Sequence, residues 1–333
     1  STTAMLTWIL VNLGMDPGFL IAGKPKDFSV SAKLGKDEIF VIEADEYDTA
    51  FFDKRAKLIH YNPEVLIINN LEFDHADIYS NLPEIQKQFH NLIRTMSSED
   101  CIVFPGDDKN IREVLDLGVW SKEVEFGVEG NSSNYFEAIK KDHSSVRFSI
   151  NKKVAEINWN LLGEHNARNA ITALLALQHF NLSLSDSAKC LESFSGVKRR
   201  LDTIIDRKDL KLFDDFAHHP TAIQETLKGL RARYLNNRII ALIEIRSNTM
   251  KSGLHDKNLT GATSEADLVF WKGADKDQLN NLVNKSPEKN YVIDSVDSFS
   301  DELKNSIIKD NDVIIMMSNG SFDGLVDLLN SKL

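Results

Sequence analysis

This 333-residue sequence has few cysteines, no long apolar runs and no excess of positive charge. No apolar run approaches the roughly 20 residues that cross a bilayer, and the first residues lack a signal-peptide pattern. The 2 cysteines, Cys101 and Cys190, lack the spacing of a metal site, which predicts buried thiols in a reducing, cytoplasmic compartment. The formal net charge is -11 and no Lys/Arg run is long enough for a nucleic-acid groove, so we expect neither nucleic acid nor a membrane as a partner.

Proline and glycine are also infrequent, with 7 and 16 residues, and the chain is 42% hydrophobic and 27% charged. These values are typical of a folded globular enzyme. Because 333 residues exceed one ordinary core, we expect two domains, residues 1–197 and 198–333. Strand and helix patterns alternate in the second domain, which predicts a doubly wound α/β fold. No Gly-x-Gly-x-x-Gly loop follows a strand, which argues against a nicotinamide enzyme.

A cluster of carboxylates follows the first strongly apolar strand pattern. Residues 39–42 are apolar without alternation, which predicts a strand buried on both faces. Four carboxylates follow within six residues: Glu43, Asp45, Glu46 and Asp48. Ligands of open parallel sheets bind beyond the carboxyl ends of the strands, so this cluster indicates either a cation site or a solvated acidic loop.

The next buried strand pattern, residues 63–70, also ends in polar groups. They are Asn69, Asn70, Glu72, Asp74, His75 and Asp77. Carboxylates and a neutral imidazole on neighbouring strand ends form the ligand set expected for Mg²⁺ or Mn²⁺ beside a phosphate. Taken alone, a histidine in the position of His75 is more often a helix cap or a core residue than a ligand.

Three further stretches carry candidate functions. Asn166 and Asn169 are three residues apart at the start of a predicted helix, so their carboxamides share a face that suits an adenine edge; a capping turn is the alternative. The basic triplet at 198–200 is either a solvated face or a contact to polyphosphate. Residues 50–55 predict a loop or short helix that packs its aromatic side chains under the site, and residues 120–160 predict antiparallel strands.

Together, these strings resemble the motifs of the Mur ligases, the ATP-dependent amino-acid and peptide ligases of cell-wall synthesis. Residues 43–46, 70–77 and 163–169 resemble motifs of the central domain of that family. Residues 198–200 and 214–221 resemble motifs of its C-terminal domain. The resemblance implies a mostly parallel, P-loop-type central domain, truncated at its N-terminus, followed by the Rossmann-like C-terminal domain.

Within the family, the stretches at 51–55, 246–250 and 317–320 resemble the branch that uses UDP-N-acetylmuramate and the tripeptide L-Ala-γ-D-Glu-meso-diaminopimelate. This implies amide formation through an acyl phosphate, with ATP and Mg²⁺, in cytoplasmic peptidoglycan recycling, cell-wall biogenesis, cell shape and cell division. The family's Gly-Lys-[Ser/Thr] phosphate loop is expected immediately before Ser1, and its N-terminal UDP-binding domain before that. We therefore expect the 333 residues alone to be inactive.

The resemblance also implies roles for individual residues. Glu43 and His75 are the expected metal ligands and, with Asp215 and His218, the expected catalytic residues. The expected nucleotide contacts are Asn166, Asn169, Arg200, Asp215 and His218. The expected substrate contacts are Arg246, Ser247, Asn248 and Asn319. Two other functions remain open: a UDP-N-acetylmuramate–L-alanine ligase, and a nucleotide- or peptide-binding module without catalysis.

Overall fold

The computed structural model describes residues 1–74, 76, 78–128 and 132–333, with the side chain of residue 128 left out. The chain forms two compact units, unit 1 (Ser1–Val197) and unit 2 (Lys198–Leu333). No helix among the described residues is long and apolar enough to cross a membrane. Cys101 is buried and Cys190 half-buried, and both are free thiols.

Unit 1 combines helices with short strands. Its helices are α1 (Thr2–Asn12), α2 (Leu82–Ile93), α3 (Lys109–Asp116), α4 (Glu164–His179) and α5 (Leu184–Leu191). Its strands are β1 (Gly18–Leu20), β2 (Ala32–Lys33), β3 (Phe40–Ile42), β4 (Asp48–Ala50), β5 (Asp53–Ala56), β6 (Val65–Ile67), β7 (Cys101–Pro105), β8 (Lys122–Val128), β9 (Tyr135–Ala138), β10 (Ser145–Ile150) and β11 (Lys153–Asn158).

A six-stranded sheet in the order β11-β10-β9-β8-β7-β6 forms the larger layer of unit 1. The strands β6 to β9 run parallel, whereas β9, β10 and β11 pair antiparallel. The expectation of antiparallel strands over residues 120–160 is therefore wrong for β8, whose partners on both sides are parallel. The sheet separates two apolar clusters: Val103 of β7 belongs to one, with α1 and α4, and Phe104 to the other, with α2 and α3. The successive side chains of a strand point to opposite faces, so β7 is buried on both.

The strand that precedes the carboxylate cluster is less buried than predicted. Phe40 in β3 is 49% exposed, and the next two residues of this strand are half-buried. Among the described residues, β3 pairs only with β1 and β6 pairs only with β7, so each of the two strands has a free edge. A cleft of about 1180 Å³ is lined by both strands. The free edge along this cleft explains the exposure of β3.

The aromatic residues after the carboxylate cluster do not pack under the site. They lie at the tip of a two-stranded hairpin formed by β4 and β5, and Phe51 and Phe52 are 93% and 90% exposed. The predicted loop or short helix is therefore wrong. The sequence pattern misled because apolar residues at a hairpin tip have no periodicity that distinguishes them from core residues.

Replacing Phe51 and Phe52 by serine is expected to change the free energy of unfolding by less than about 0.5 kcal/mol each, because little apolar surface is buried there. The matched control is Phe126→Ala at a fully buried position, for which a loss of about 3–5 kcal/mol is expected. Urea denaturation measures both. A loss above 1.5 kcal/mol in either tip variant would show that the two aromatic side chains are packed.

Unit 2 is a doubly wound α/β unit. Its strands are β12 (Asp202–Asp206), β13 (Leu210–Asp215), β14 (Ile239–Ile245), β15 (Leu268–Gly273), β16 (Asn290–Val292) and β17 (Asp312–Met317). Its helices are α6 (Pro220–Arg233), α7 (Asn248–Lys251), α8 (Asp256–Ala262), α9 (Lys276–Lys285), α10 (Val296–Glu302) and α11 (Leu325–Lys332). The sheet order is β12-β13-β17-β14-β15-β16, and only β12 runs antiparallel to its neighbour.

The central strands of unit 2 are buried along their whole length. Every residue of β14 and β17 is buried, as expected for parallel strands covered by helices on both faces. The prediction of α/β architecture with largely parallel sheets is confirmed for both units. In unit 2, the neighbouring carboxyl ends of β13, β17 and β14 bring three separate sequence stretches to one edge.

Candidate functional site

The four carboxylates after β3 diverge. Glu43 lines the cleft, and one of its oxygens, Oε2, accepts a hydrogen bond from the Ala22 amide at 3.1 Å. Asp45 pairs with Lys57 at 3.1 Å instead. Asp48 pairs with Lys54 on the hairpin at 2.7 Å. Glu46 lines the cleft as well. Glu43 and Glu46 thus line the cleft, whereas Asp45 and Asp48 form ion pairs with lysines, a division that sequence spacing could not show.

A hydrogen-bonded network joins the start of α1 to the end of β6 and to α4. Thr2 Oγ1 donates to Asn169 Oδ1 at 3.0 Å and accepts from Asn69 Nδ2 at 2.9 Å. Thr172 Oγ1 approaches Asn69 Oδ1 at 3.2 Å. The network fixes the first turn of α1, whose amide groups favour bound anions, at the carboxyl end of β6. Sequence reasoning did not single out Thr172, because a threonine within a helix pattern carries no functional signal.

The two asparagines proposed to contact adenine both lie on α4, but their carboxamides have different partners. Asn169 is held by Thr2, as described above. Asn166 Nδ2 donates to Leu162 O, just before the helix, at 2.8 Å, and lies 3.1 Å from His165 Nε2. Each carboxamide therefore has at least one atom committed to the protein. Their contact with a nucleotide remains a prediction.

The cleft of unit 1 has a polar end that suits a nucleotide phosphate and Mg²⁺. Ser1, Thr2, Glu43, Asn69 and Asn70 all line this cleft. Magnesium keeps several waters and takes only one or two protein carboxylates beside phosphate oxygens, which fits a single half-buried carboxylate such as that of Glu43. No three His, Cys, Asp or Glu side chains among the described residues are grouped as a metal site. His75, the other expected ligand, lies outside the described residues, as does Asp77.

In unit 2, the strand register brings most of the candidate residues to one edge of the sheet. Asp215 pairs with Met317, and Met317 pairs with Ile243 on its other side. The segments that follow these three strands carry His218, Asn319 and the stretch that begins at Arg246. The carboxyl edge of a parallel sheet is where such folds bind ligands.

Asp215 holds the backbone around this edge. Its Oδ2 accepts from the Leu201 amide at 2.6 Å and its Oδ1 accepts from the Ala217 amide at 2.7 Å. Burial raises the pKa of Asp215 to about 6, while Arg200 and the two amide groups act in the opposite direction. Asp215 thereby connects the segment that contains Arg200 to the turn that carries His218.

The raised pKa of Asp215 has a consequence for stability. Because the folded state binds this proton more tightly than the unfolded state, whose carboxyl has a pKa near 3.8, the stabilising effect is present below pH 4 and is lost as the pH rises through 6. We expect the unfolding free energy of wild type minus that of Asp215→Asn to fall by about 2–3 kcal/mol between pH 4 and pH 7. Urea unfolding at constant ionic strength measures this difference.

The control for this pH dependence is Asp209→Asn. Arg207 holds the pKa of the exposed Asp209 carboxyl below its usual value. The pH dependence therefore has the opposite sign, and the unfolding free energy of wild type minus that of Asp209→Asn should rise with pH. A pH-independent or rising difference for Asp215→Asn would contradict the described burial of this carboxyl.

The basic triplet at the start of unit 2 contains one structural and one exposed arginine. Arg199 Nε pairs with Asp214 Oδ2 at 3.0 Å, and its Nη2 donates to Ser318 O at 2.6 Å. Arg200 is exposed and lies 5.3 Å from the centre of the Phe216 ring. A run of three cations has no internal signal that distinguishes these roles.

The two histidines of the turn after β13 also differ. His218 Nδ1 contacts Phe216 O at 2.8 Å, which fixes the ring. His219 caps α6, since its Nδ1 accepts from the Thr221 amide at 3.4 Å, and its ring packs at 4.6 Å from that of the buried His255. His218 therefore remains the better candidate for contact with a reacting group.

The expected substrate contacts follow β14 and β17. Arg246 and Asn248 are exposed, whereas Ser247 is half-buried and caps α7 by accepting from the Met250 amide at 3.2 Å. Asn319 Oδ1 is buried and accepts no hydrogen bond from any described residue. An orphaned buried acceptor is costly, so it fits a ligand that supplies an N–H or O–H donor.

Family profiles match both units of the chain. The profile for the Mur ligase middle domain matches residues 21–177, and the profile for the glutamate ligase domain of the Mur ligases matches residues 199–320. The chain belongs to the Mur ligase family, whose members are ATP-dependent ligases that form carbon–nitrogen bonds. The resemblance expected from the sequence motifs is thus confirmed.

Individual ligases of this family are similar to most or all of the chain. The chain is 41% identical to the UDP-N-acetylmuramate–L-alanyl-γ-D-glutamyl-meso-2,6-diaminoheptandioate ligase of Haemophilus influenzae, over 100% of this chain and 74% of that protein. It is 38% identical to the crystal structure of a murein peptide ligase from Psychrobacter arcticus, with a TM-score of 0.73, over 99% of this chain and 74% of the other. The UDP-N-acetylmuramate–L-alanine ligase of Pelagibacter ubique is 32% identical over 73% of this chain and 53% of that protein.

Proposed function

We propose that this protein is the catalytic part of a ligase that joins UDP-N-acetylmuramate to the tripeptide L-Ala-γ-D-Glu-meso-diaminopimelate, with ATP as the energy source. The observation that carries the proposal is the 41% identity, over the whole chain, to a ligase named for this reaction. It exceeds the 32% identity to an L-alanine ligase, which matches a smaller share of the chain. This activity would place the protein in cytoplasmic recycling of peptidoglycan, with consequences for cell shape and division.

The proposed reaction has two steps. An oxygen of the muramoyl carboxylate attacks the γ-phosphorus of ATP, so ADP leaves and an acyl phosphate forms. The tripeptide amine then attacks the acyl carbon, and a base takes the amine proton. Phosphate leaves and carries away the carboxylate oxygen that attacked ATP in the first step. Both steps bring anions together, so the protein must screen their repulsion.

We propose that the polar end of the unit 1 cleft binds the nucleotide phosphates. Glu43, with His75, would hold Mg²⁺ there, and the ion when bound supplies positive charge that stabilises the transferring phosphoryl group. The start of α1 presents amide donors at the same end of the cleft. The carboxamides of Asn166 and Asn169 would contact the base of the nucleotide through the atoms not committed to the protein.

In unit 2, we propose that the exposed Arg200 and the fixed ring of His218 contact phosphate groups. Asp215 would act by holding the segments that carry both residues. Arg246 would pair with a carboxylate of the tripeptide, and Ser247, Asn248 and Asn319 would hydrogen-bond its amide groups.

We also propose that the phosphate-binding loop belongs to polypeptide leading into Ser1. Two observations support this: Ser1, Thr2 and Thr3 line the cleft, and both strands that flank the cleft have a free edge among the described residues. A strand of that polypeptide would find an unpaired edge on β3 or on β6. We use "the complete ligase" for this chain together with that upstream polypeptide and the UDP-binding domain. ATP should bind the complete ligase and not the 333 residues alone.

The experiment that tests the proposed function measures ADP release by the complete ligase with UDP-N-acetylmuramate, Mg-ATP and one amine at a time. The proposal predicts turnover with the tripeptide and at least about 100-fold lower kcat/KM with L-alanine, since a truncated amine loses most binding energy. Turnover with L-alanine in preference to the tripeptide would replace the proposal by the sister activity. Binding of nucleotide and tripeptide without ADP release would favour a binding module.

A further inference from the structure

Arg246 lies flat against the backbone at Gly320. A Cβ atom built on Gly320 would overlap Cδ and Nε of Arg246 and would lie 2.7 Å from its Cζ. Gly320 does not adopt the left-handed backbone conformation that requires glycine, so the absence of a side chain serves the arginine and not the chain geometry. Half of the Arg246 side chain stays exposed and available to a ligand.

A buried carboxylate lies beside the Arg246 guanidinium. Glu244, near the end of β14, is 5% exposed, and its Oε1 is 3.9 Å from Arg246 Nη1. Its other oxygen accepts a hydrogen bond from the hydroxyl of Ser318. Ser318 Oγ in turn accepts from the Gly320 amide at 2.8 Å. The chain of contacts runs from Glu244 through Ser318 back to the glycine beneath the arginine.

The charges around this arginine are unevenly placed. Asp323 is a second nearby carboxylate, and Lys272 and, more weakly, Arg246 hold its pKa below the usual value. The ion pair of Asp323 is with Lys272, at 2.5 Å, whereas that of Arg246 is with Glu244. Among the residues that the structure describes, the ion pair of Glu244 is with Arg246, and its other oxygen accepts from the neutral hydroxyl of Ser318.

We propose that Glu244, Ser318 and Gly320 are positioning residues that fix the guanidinium of Arg246 for a carboxylate of the incoming peptide. This inference rests on the proposed function, in which Arg246 binds the tripeptide. An arginine orientated in advance loses less conformational freedom when it forms two hydrogen bonds to a carboxylate. The specificity of the protein for a carboxylate-bearing amine would then depend on three residues that do not themselves touch it.

The test is steady-state kinetics of Gly320→Ala in the complete ligase. We expect KM for the tripeptide to rise by about 10- to 100-fold, because the new methyl group displaces the guanidinium from its place and charge-assisted bonds are lost. The KM for ATP should stay within about twofold, because the substitution moves only a flexible side chain. Gly261→Ala is the matched control, since a Cβ there meets nothing within 4 Å, and it should match wild type.

Glu244→Gln is the second variant, which keeps the shape and a hydrogen bond to Ser318 but removes the charge. It should also raise KM for the tripeptide. If circular dichroism shows that Gly320→Ala does not fold, Glu244→Gln tests the proposal in its place. In an Arg246→Ala background, both substitutions should lose their effect on KM, since they act through this arginine.

Three outcomes separate the hypotheses. If Arg246→Ala raises KM for the tripeptide but Gly320→Ala and Glu244→Gln do not, the positioning proposal is overturned and the proposed function stands. If the two substitutions raise KM equally with and without Arg246, they act by another route and the proposal is also overturned. If Arg246→Ala leaves KM unchanged while the tripeptide still drives ADP release, the role of Arg246 is wrong although the ligase activity is right.

Discussion

Glu43→Ala in the complete ligase is expected to lower kcat by about 10²- to 10³-fold at saturating Mg-ATP, because a preorganised charge at the transferring phosphoryl group is lost. Glu43 directly follows β3 and lines the cleft, as do Glu46 and Asn69, and a backbone amide donates to one of the oxygens of Glu43. His75→Ala, outside the described residues, should have an effect of similar size. ADP release with all substrates measures both rates.

The matched control for Glu43 is Asp48→Asn in the same acidic stretch. Asp48 pairs with Lys54 on the hairpin, so removing its charge should change kcat by less than about twofold. Near-normal turnover of both Glu43→Ala and His75→Ala would remove the metal assignment. A large effect of Asp48→Asn would mean that the acidic stretch acts through its total charge and not through one ligand.

Arg199→Met is expected to destabilise the protein by about 3 kcal/mol, because it leaves the buried Asp214 without its cation. The Asp214 side chain is 8% exposed, and burial already raises the pKa of its carboxyl, which Arg199 opposes. The same substitution also removes a hydrogen bond to Ser318 O. Chemical denaturation monitored by tryptophan fluorescence measures the change in unfolding free energy.

The neighbouring Arg200→Met supplies the contrast within the same basic triplet. Arg200 is exposed, so solvent screens its attraction for Asp215, and the unfolding free energy should fall by about 1 kcal/mol or less. If Arg200 contacts nucleotide phosphates, its loss should raise KM for ATP by about tenfold. Equal destabilisation by the two substitutions would contradict the different environments of these arginines.

Much of the fold could be predicted because its signals are local. Continuous apolar runs such as β7, β14 and β17 and the helix pattern of α4 reflect burial or periodicity that a short sequence window contains. The strand ends in unit 2 could also be located, because a buried apolar strand ends where polar residues begin. The sequence could not determine that β8 pairs parallel on both sides, since strand order depends on contacts distant along the chain.

Individual side-chain roles were harder to predict than element types. Asp215 resembles a nucleotide ligand in its motif, yet both of its oxygens accept backbone hydrogen bonds. The role proposed for Gly320 rests on its contact with Arg246, 74 positions earlier in the chain. Such roles depend on contacts between residues that are far apart in sequence, and a single sequence does not show which distant residues are in contact.

The fate of one oxygen atom tests the proposed ligase reaction most directly. UDP-N-acetylmuramate labelled with ¹⁸O in both oxygens of its muramoyl carboxylate is incubated with the complete ligase, Mg-ATP and tripeptide. Mass spectrometry then measures the masses of the phosphate and amide products. An acyl phosphate predicts that each phosphate released contains one ¹⁸O atom and each amide product retains one. Phosphate without ¹⁸O, accompanied by amide formation, would contradict activation of the carboxylate by ATP.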